Sequence, residues 1–156
     1  MELEFRDTQL TDIDELFELR GRTRQNALSR EALAQIGITP ESTAKDLTAG
    51  NIWGAVCAHD TRIVGFCTGD VHTGEVLVPA VLPDYEGRGV GTQLLSRVID
   101  RLQAAGARRI WLVASADPTV RAHGFYRALG WQPTGRRTAN GDEIPELRSS
   151  PRKPAR

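Results

Sequence analysis

YEGRGVGT, residues 85–92, joins a strand-like run (EVLVPAVL, residues 75–82) to a helical stripe made of Val90, Leu94, Leu95, Val98, Ile99 and Leu102, which ends near Gly106. Gly87, Gly89 and Gly91 occupy alternate positions in it. Glycine has no Cβ and enters positive φ freely, so such a turn can point successive N–H groups into one concavity and bring backbone close to a ligand. The N-terminus of the following helix adds about half a positive charge, and Arg88 adds a full one. A phosphate or pyrophosphate is the natural occupant. The P-loop is excluded because no Lys follows these glycines, and the dinucleotide fingerprint because Thr92 holds its last glycine position. A protein-kinase loop would need a longer chain and further signatures. A tight turn without a ligand is the structural alternative.

Outward from this turn, residues 2–6 (ELEFR) read as a first strand, and from Asp12 the spacing of Ile13, Leu16, Phe17 and Leu19 predicts a helix. A second helix is expected over 26–36, with Ser29 as a cap and Gly37 as its stop. A third runs from Pro40 to about Leu47 behind Thr39, and Gly50 breaks it. Residues 52–58 and 63–68 flank a polar His59-Asp60-Thr61-Arg62 turn and read as a hairpin. Pro79 sits awkwardly in the next strand, 75–82, because proline cannot donate to a ladder. Residues 109–114 (RIWLVA) suggest a buried strand, and Asp117-Pro118 opens a helix reaching Leu129. Residues 131–138 and 144–147 flank Asn140-Gly141, a strong hairpin dipeptide. The pattern predicts a mixed α/β fold with a strand-turn-helix at its centre.

With 156 residues, 40% hydrophobic and 26% charged, the chain suits one compact domain. Its longest apolar stretch, Val76 to Leu82, is far too short to span a bilayer, and Glu2, Glu4 and Asp7 do not suit a secretory signal, so a cytoplasmic protein is expected. Charges balance at 20 against 20, yet residues 148–156 (RSSPRKPAR) carry four basic groups and no acid. The acidic body that remains argues against nucleic acid as the main ligand, and the short tail reads as disordered. Cys57 and Cys67, both in strand-like runs, read as core residues; three scattered histidines make no zinc framework, so no metal is expected.

The six positions Glu86-Gly87-Arg88-Gly89-Val90-Gly91 resemble the acetyl-CoA motif of the GNAT superfamily of N-acetyltransferases, Arg/Gln-x-x-Gly-x-Gly/Ala. Val81-Leu82-Pro83 before the turn, Arg121-Ala122 with Phe125-Tyr126, and Gly130-Trp131 extend the likeness over residues 52–147. Two positions depart from the pattern. Glu86 replaces the usual Arg or Gln, and Thr119 stands where the last helix often has Asn. The resemblance implies a GNAT-like domain over 1–147, a mostly antiparallel sheet whose fourth and fifth strands run parallel and splay apart, and a pantetheine arm lying in the gap. It further implies that acetyl-CoA meets Gly87, Arg88, Gly89, Val90, Gly91 and Thr92 through its pyrophosphate, and the backbone of Val81 and Leu82 through its pantetheine. A homodimer is a common arrangement in such look-alikes.

The resemblance also implies acetyl transfer to a primary amine, here a small molecule, by direct attack in a ternary complex. An alkyl-ammonium with a pKa of roughly 10.4 must lose a proton first, and the departing thiolate, near 8.5 for a cysteine-like thiol, gains from a donor. Tyr126, at the family's Phe-Tyr position, is the candidate donor, with a packed helix tyrosine as the alternative. Glu75 is the candidate base, placed by the period of two on one face with Leu77, Pro79 and Val81; the alternative is a simple strand-entry charge. His72, His123 and Asp70 are weaker candidates for the base. Arg22, Arg24 and Asn26, with Arg20 and Arg30, form a basic group suited to an acceptor bearing a carboxylate or phosphate, or to a solvated helix face. Trp53 and Trp131 suit either an acceptor wall or the core. Another acyl group, a catalytically silent acyl-CoA-binding module of the same fold, and a nucleic-acid role for the tail are the competing readings.

Overall fold

A computed structural model of the chain describes residues 2–23, 29–114, 121–139 and 141–147. The period-two stretches of its first half form β1 (Leu3–Asp7), β2 (Ile52–His59), β3 (Arg62–Asp70) and β4 (Val76–Val81). These pair antiparallel in the order β1-β2-β3-β4. Three helices separate β1 from β2: α1 (Ile13–Arg20), α2 (Arg30–Gln35) and α3 (Pro40–Ala49). Residues 26–28 of the second lie outside the described residues, and Ser29 caps it as expected. Ser29 lies outside it in extended conformation and its Oγ accepts from Ala32 N at 3.1 Å, so the helix starts at Arg30. Thr39 caps α3 as expected, with Pro40 in the first turn and Gly50 ending it at a φ of 77°.

The central helix, α4 (Val90–Ala104), lays Val90, Leu94, Leu95, Val98 and Leu102 on the sheet, all buried. Each buried aliphatic side chain contributes about 1.5–3 kcal/mol of transfer free energy. Two glycines of β3 make the close approach possible: a Cβ on Gly65 would sit 3.1 Å from Val90 Cγ1, and one on Gly69 would sit 2.7 Å from Val98 Cγ1. That contact also fixes which face of β3 looks toward α4. Val56 and Ala80 lie on the opposite face and are buried as well, covered by α1 and α3.

The last third of the chain is a second, three-stranded sheet built from β5 (Ile110–Trp111), β6 (Trp131–Gln132) and β7 (Glu146–Leu147), in the order β5-β7-β6. Helix α5 (Arg121–Ala128) precedes β6. These strands are shorter than predicted, although Leu112 N still donates to Pro145 O at 3.2 Å and Ala114 N to Glu143 O at 2.9 Å. Asn140, half of the predicted hairpin dipeptide, and the tail 148–156 lie outside the described residues; Gly141 adopts a φ of 83°.

One ion pair fastens β1 to α1. Asp12, 7% exposed, accepts from Arg6 Nη1 and Nη2 at 2.7 and 2.9 Å and from Gln9 N at 2.8 Å. The bond from Arg6 holds the Asp12 carboxyl below the usual carboxylate range, against the opposing effect of burial. A carboxylate with a depressed folded pKa stabilises the fold above its unfolded pKa, near 3.9, and loses that contribution as pH falls toward the folded value. Asp12→Ala is expected to lower stability by about 2–4 kcal/mol at pH 7, by leaving Arg6 without its acid. The deficit should shrink in denaturant titrations below about pH 4; a deficit constant down to pH 2 would show that packing alone is at stake.

Candidate functional site

β4 carries one residue too many for its partner. Thr68 faces Leu77 and Phe66 faces Ala80, so two steps along β3 match three along β4. The bulge falls at Val78–Pro79, and the interrupted ladder there accommodates the proline. It also changes which side chains share a face. Gly65 and Gly69 look toward α4, and so do their partners Val81 and Val76, five residues apart. Pro79 Cβ and Val81 Cγ2 each lie 3.9 Å from a Cβ built on Gly91, whereas Glu75 and Leu77 belong to the face away from α4. Glu75, Leu77, Pro79 and Val81 therefore do not share one face, because a single extra residue inverts the alternation beyond it.

Beside the bulge, the two sheets part. Glu75 and Trp111 form a single parallel bridge, closed by Trp111 N donating to Gly74 O at 3.2 Å and Trp111 Nε1 to Thr73 O at 3.0 Å. From there, among the described residues, β4 pairs with β3 alone and residues 112–114 with 143–145. Their facing edges form the splay. Leu82 is not part of its free edge: its N–H donates to Val64 O and its C=O accepts from Tyr85 N, both at 2.9 Å. Backbone groups alternate along an antiparallel strand, so the N–H and C=O of Val81 point into the gap. Of the two residues expected to meet pantetheine through their backbone, Val81 is placed to do so and Leu82 is already engaged.

At the end of β4, Gly87 and Gly89 adopt φ of 76° and 77°, and a Cβ on either would meet nothing within 4 Å. Gly89 is the N-cap of α4, which has no side-chain cap and no acid in its first turn. The amides of Val90, Gly91 and Thr92 precede the first intrahelical bond, Gln93 N to Gly89 O at 3.0 Å. Val90 contributes only its amide, since its side chain is in the core. A helix start with no side-chain cap and no acid in its first turn fits a pyrophosphate.

Tyr126 is 3% exposed and packs edge-to-face on Phe125, at 5.0 Å and 80°, and on Trp131, at 5.8 Å and 71°. Phe125 Cζ lies 3.8 Å from the Cβ position of Gly91, which seats α5 against the start of α4. Burial, with Cys67 adding to it, pushes the Tyr126 hydroxyl well above the ordinary tyrosine range, so it keeps its proton. That hydroxyl has no hydrogen-bond partner among the described residues. Cys67 stands opposite the bulge and its thiol donates to Leu77 O at 3.2 Å; burial raises its pKa strongly too. Glu75, half-buried at the vertex of the splay, is raised by desolvation and then by Asp70.

The profile of the Acetyltransferase (GNAT) family matches residues 13–131. The chain belongs to this family. An uncharacterised N-acetyltransferase of Mycobacterium tuberculosis is 30% identical over 139 residues, 83% of this chain and 88% of the relative. Another, from Prochlorococcus marinus, is 40% identical over 83 residues, 50% of this chain but only 44% of that protein's length. Among solved structures, the PaiA N-acetyltransferase of Thermoplasma acidophilum, in complex with coenzyme A, superposes with a TM-score of 0.78 over 96% of this chain and all of the other, at 20% identity. It shares the fold.

Other residues of this GNAT chain fall into place less uniformly. Arg22 lines a cleft of about 230 Å³ with Glu18, Arg62 and Leu82, at the phosphate-loop end of β4. Glu75 is at the other end, roughly 20 Å along an extended strand. Arg24 and Asn26 lie outside the described residues, as does the side chain of His123. Arg20 is half-buried, and burial lowers its pKa. His72 binds Asn51 Oδ1 at 2.8 Å, while Asp70 accepts from His72 N and Thr73 N, so both belong to the β3–β4 turn. Trp53 lies on the α4 side under Arg101, and Trp131 is 3% exposed; both serve the core. Among the described residues no three His, Cys, Asp or Glu side chains gather where they could hold a metal ion, and no helix is long and apolar enough to cross a membrane.

Proposed function

We propose that this chain transfers the acetyl group of acetyl-CoA to a primary amine of a small-molecule acceptor by direct attack in a ternary complex. The observation that carries the reading is a buried Tyr126 that interacts with Cys67, opposite the bulge of a splay whose far end opens on an uncapped glycine turn. Acetyl-CoA supplies the thioester. The first-turn amides of α4 with Gly87 and Gly89 hold its pyrophosphate, and Val81 offers one N–H and one C=O to its pantetheine amides. Tyr126 donates a hydrogen bond toward the departing sulfur and keeps its proton. Glu75 and the half-exposed Leu77 look out on the face away from α4, and there Glu75 takes the proton from the incoming ammonium.

Desolvation raises the Glu75 carboxyl, which moves a base toward neutral pH. A base works deprotonated, so the rate should fall on the acid side as pH drops through that raised pKa. Glu75→Gln is expected to remove this acid limb and to lower kcat by roughly 10- to 100-fold; an unchanged profile would assign proton removal to water.

Calorimetric titration with acetyl-CoA and with CoA, followed by thiol release over a panel of primary amines, tests the whole reading. Micromolar binding with amine-dependent release is the expected result. Binding with no release for any amine would favour a silent acyl-CoA-binding module, and no binding would remove the cofactor assignment.

A further inference from the structure

We propose that His59 and Tyr85 form a positioning pair that holds the phosphate loop, and Arg88 with it, in its binding shape. Tyr85 closes the 3-10 turn Pro83–Tyr85, immediately before the loop. His59 Nδ1 and Tyr85 Oη share a hydrogen bond of 2.6 Å, with the rings edge-to-face at 5.7 Å and 64°. The ring of Tyr85 carries the Arg88 guanidinium, 5.5 Å from its centroid. His59 is itself fixed at the end of β2, in the two-residue turn where Asp60 adopts a φ of 57°, and Asp60 Oδ2 lies 3.9 Å from its Nε2. One aromatic ring thus connects a sheet-anchored histidine to the cation between the two glycines.

The loop needs such a tether. Glycines give up more conformational entropy on ordering than any other residue, and a Cβ on Gly87 or Gly89 would meet nothing within 4 Å. Order at the two ends of the loop therefore bears on its shape before ligand arrives. At one end stands α4, and at the other the pinned Tyr85. A loop ordered in advance loses less on binding, and the gain is confined to ligands that touch it.

This role rests on the cofactor assignment above, and the test separates the two. Acetyl-CoA and S-acetylpantetheine, which lacks the pyrophosphate, are titrated into wild type, Tyr85→Phe, His59→Ala and His59→Asn, following amide NMR shifts that register millimolar binding. A hydrogen bond of this kind is worth a loss of roughly threefold to tenfold in affinity. Tyr85→Phe and His59→Ala are expected to weaken acetyl-CoA by that factor and to leave S-acetylpantetheine unchanged. His59→Asn, whose side-chain amide can donate or accept near the place of Nδ1, should restore acetyl-CoA binding. Equal weakening of both ligands, or His59→Asn behaving as His59→Ala, overturns the pair as a positioning device. Wild-type binding with no change in any variant does the same. Wild-type protein that takes up no acetyl-CoA overturns the cofactor assignment itself.

Discussion

Gly89→Val is expected to lower acetyl-CoA affinity by at least about 100-fold while leaving a folded protein. Two effects act together. Gly89 holds a φ of 77°, and a β-branched residue in that region is strained by about 1–2 kcal/mol. Its branched side chain would also enter the open space beside Gly89, where nothing lies within 4 Å of a Cβ and where the proposed function seats the pyrophosphate. Relieving the strain means unwinding the N-cap of α4, which removes the amides of Val90 and Gly91 from the site; keeping the N-cap means filling the cradle. Either way the ligand loses its seat. The strain alone should lower Tm by roughly 2–8 °C, so calorimetry at 20 °C on folded protein isolates the loss of binding. Affinity within tenfold of wild type would show that phosphate is held elsewhere.

The cradle was legible in the sequence because its requirement is local. Positive φ favours glycine, which Gly87 and Gly89 supply, and the stripe of Leu94, Leu95, Val98 and Leu102 behind them marks the helix, so the turn and helix start were readable from YEGRGVGT onward. Thr39-Pro40 and Gly50 were legible for the same reason. The face of Glu75 was not. Counting by twos along 75–82 assumes an unbroken ladder, and the insertion at Val78–Pro79 inverts everything on one side of it. Pro79 was the visible signal, since a proline in a paired strand points to an edge or a bulge. Read as a bulge, it would have separated Glu75 and Leu77 from Val81.

The engagement of Leu82 was hidden in a different way. Both of its backbone groups are taken by Val64 and Tyr85, and neither bond follows from its own side chain or its position in the motif. The His59–Tyr85 contact spans 26 residues and depends on how the β2–β3 turn meets the end of β4. Long-range pairings of single side chains leave no periodic trace. The short β6 and β7 show the converse: the sequence pattern is continuous over 131–138, but the ladder is two residues long at its regular part.

Tyr126→Phe is expected to reduce kcat by about 100-fold or more, the range for loss of one positioned donor to developing charge, with the dissociation constant of acetyl-CoA changing by less than about threefold. The asymmetry follows from what the substitution leaves in place. Phenylalanine keeps the edge-to-face contacts with Phe125 and Trp131 and so keeps α5 seated against Gly91. It removes one O–H, which has no hydrogen-bond partner among the described residues. The lost hydrogen bond matters only when charge develops on the sulfur, because the departing thiolate would otherwise carry that charge unstabilised into a buried site. The pH dependence gives a second handle. An acid must be protonated to act, and burial pushes Tyr126 above its ordinary value. Wild-type kcat should therefore hold through pH 10, where an exposed tyrosine would already be half ionised. A fall in kcat between pH 8 and 10 that disappears in Tyr126→Phe would contradict the buried, proton-holding hydroxyl. A large loss of acetyl-CoA affinity in the same variant would make Tyr126 a binding residue.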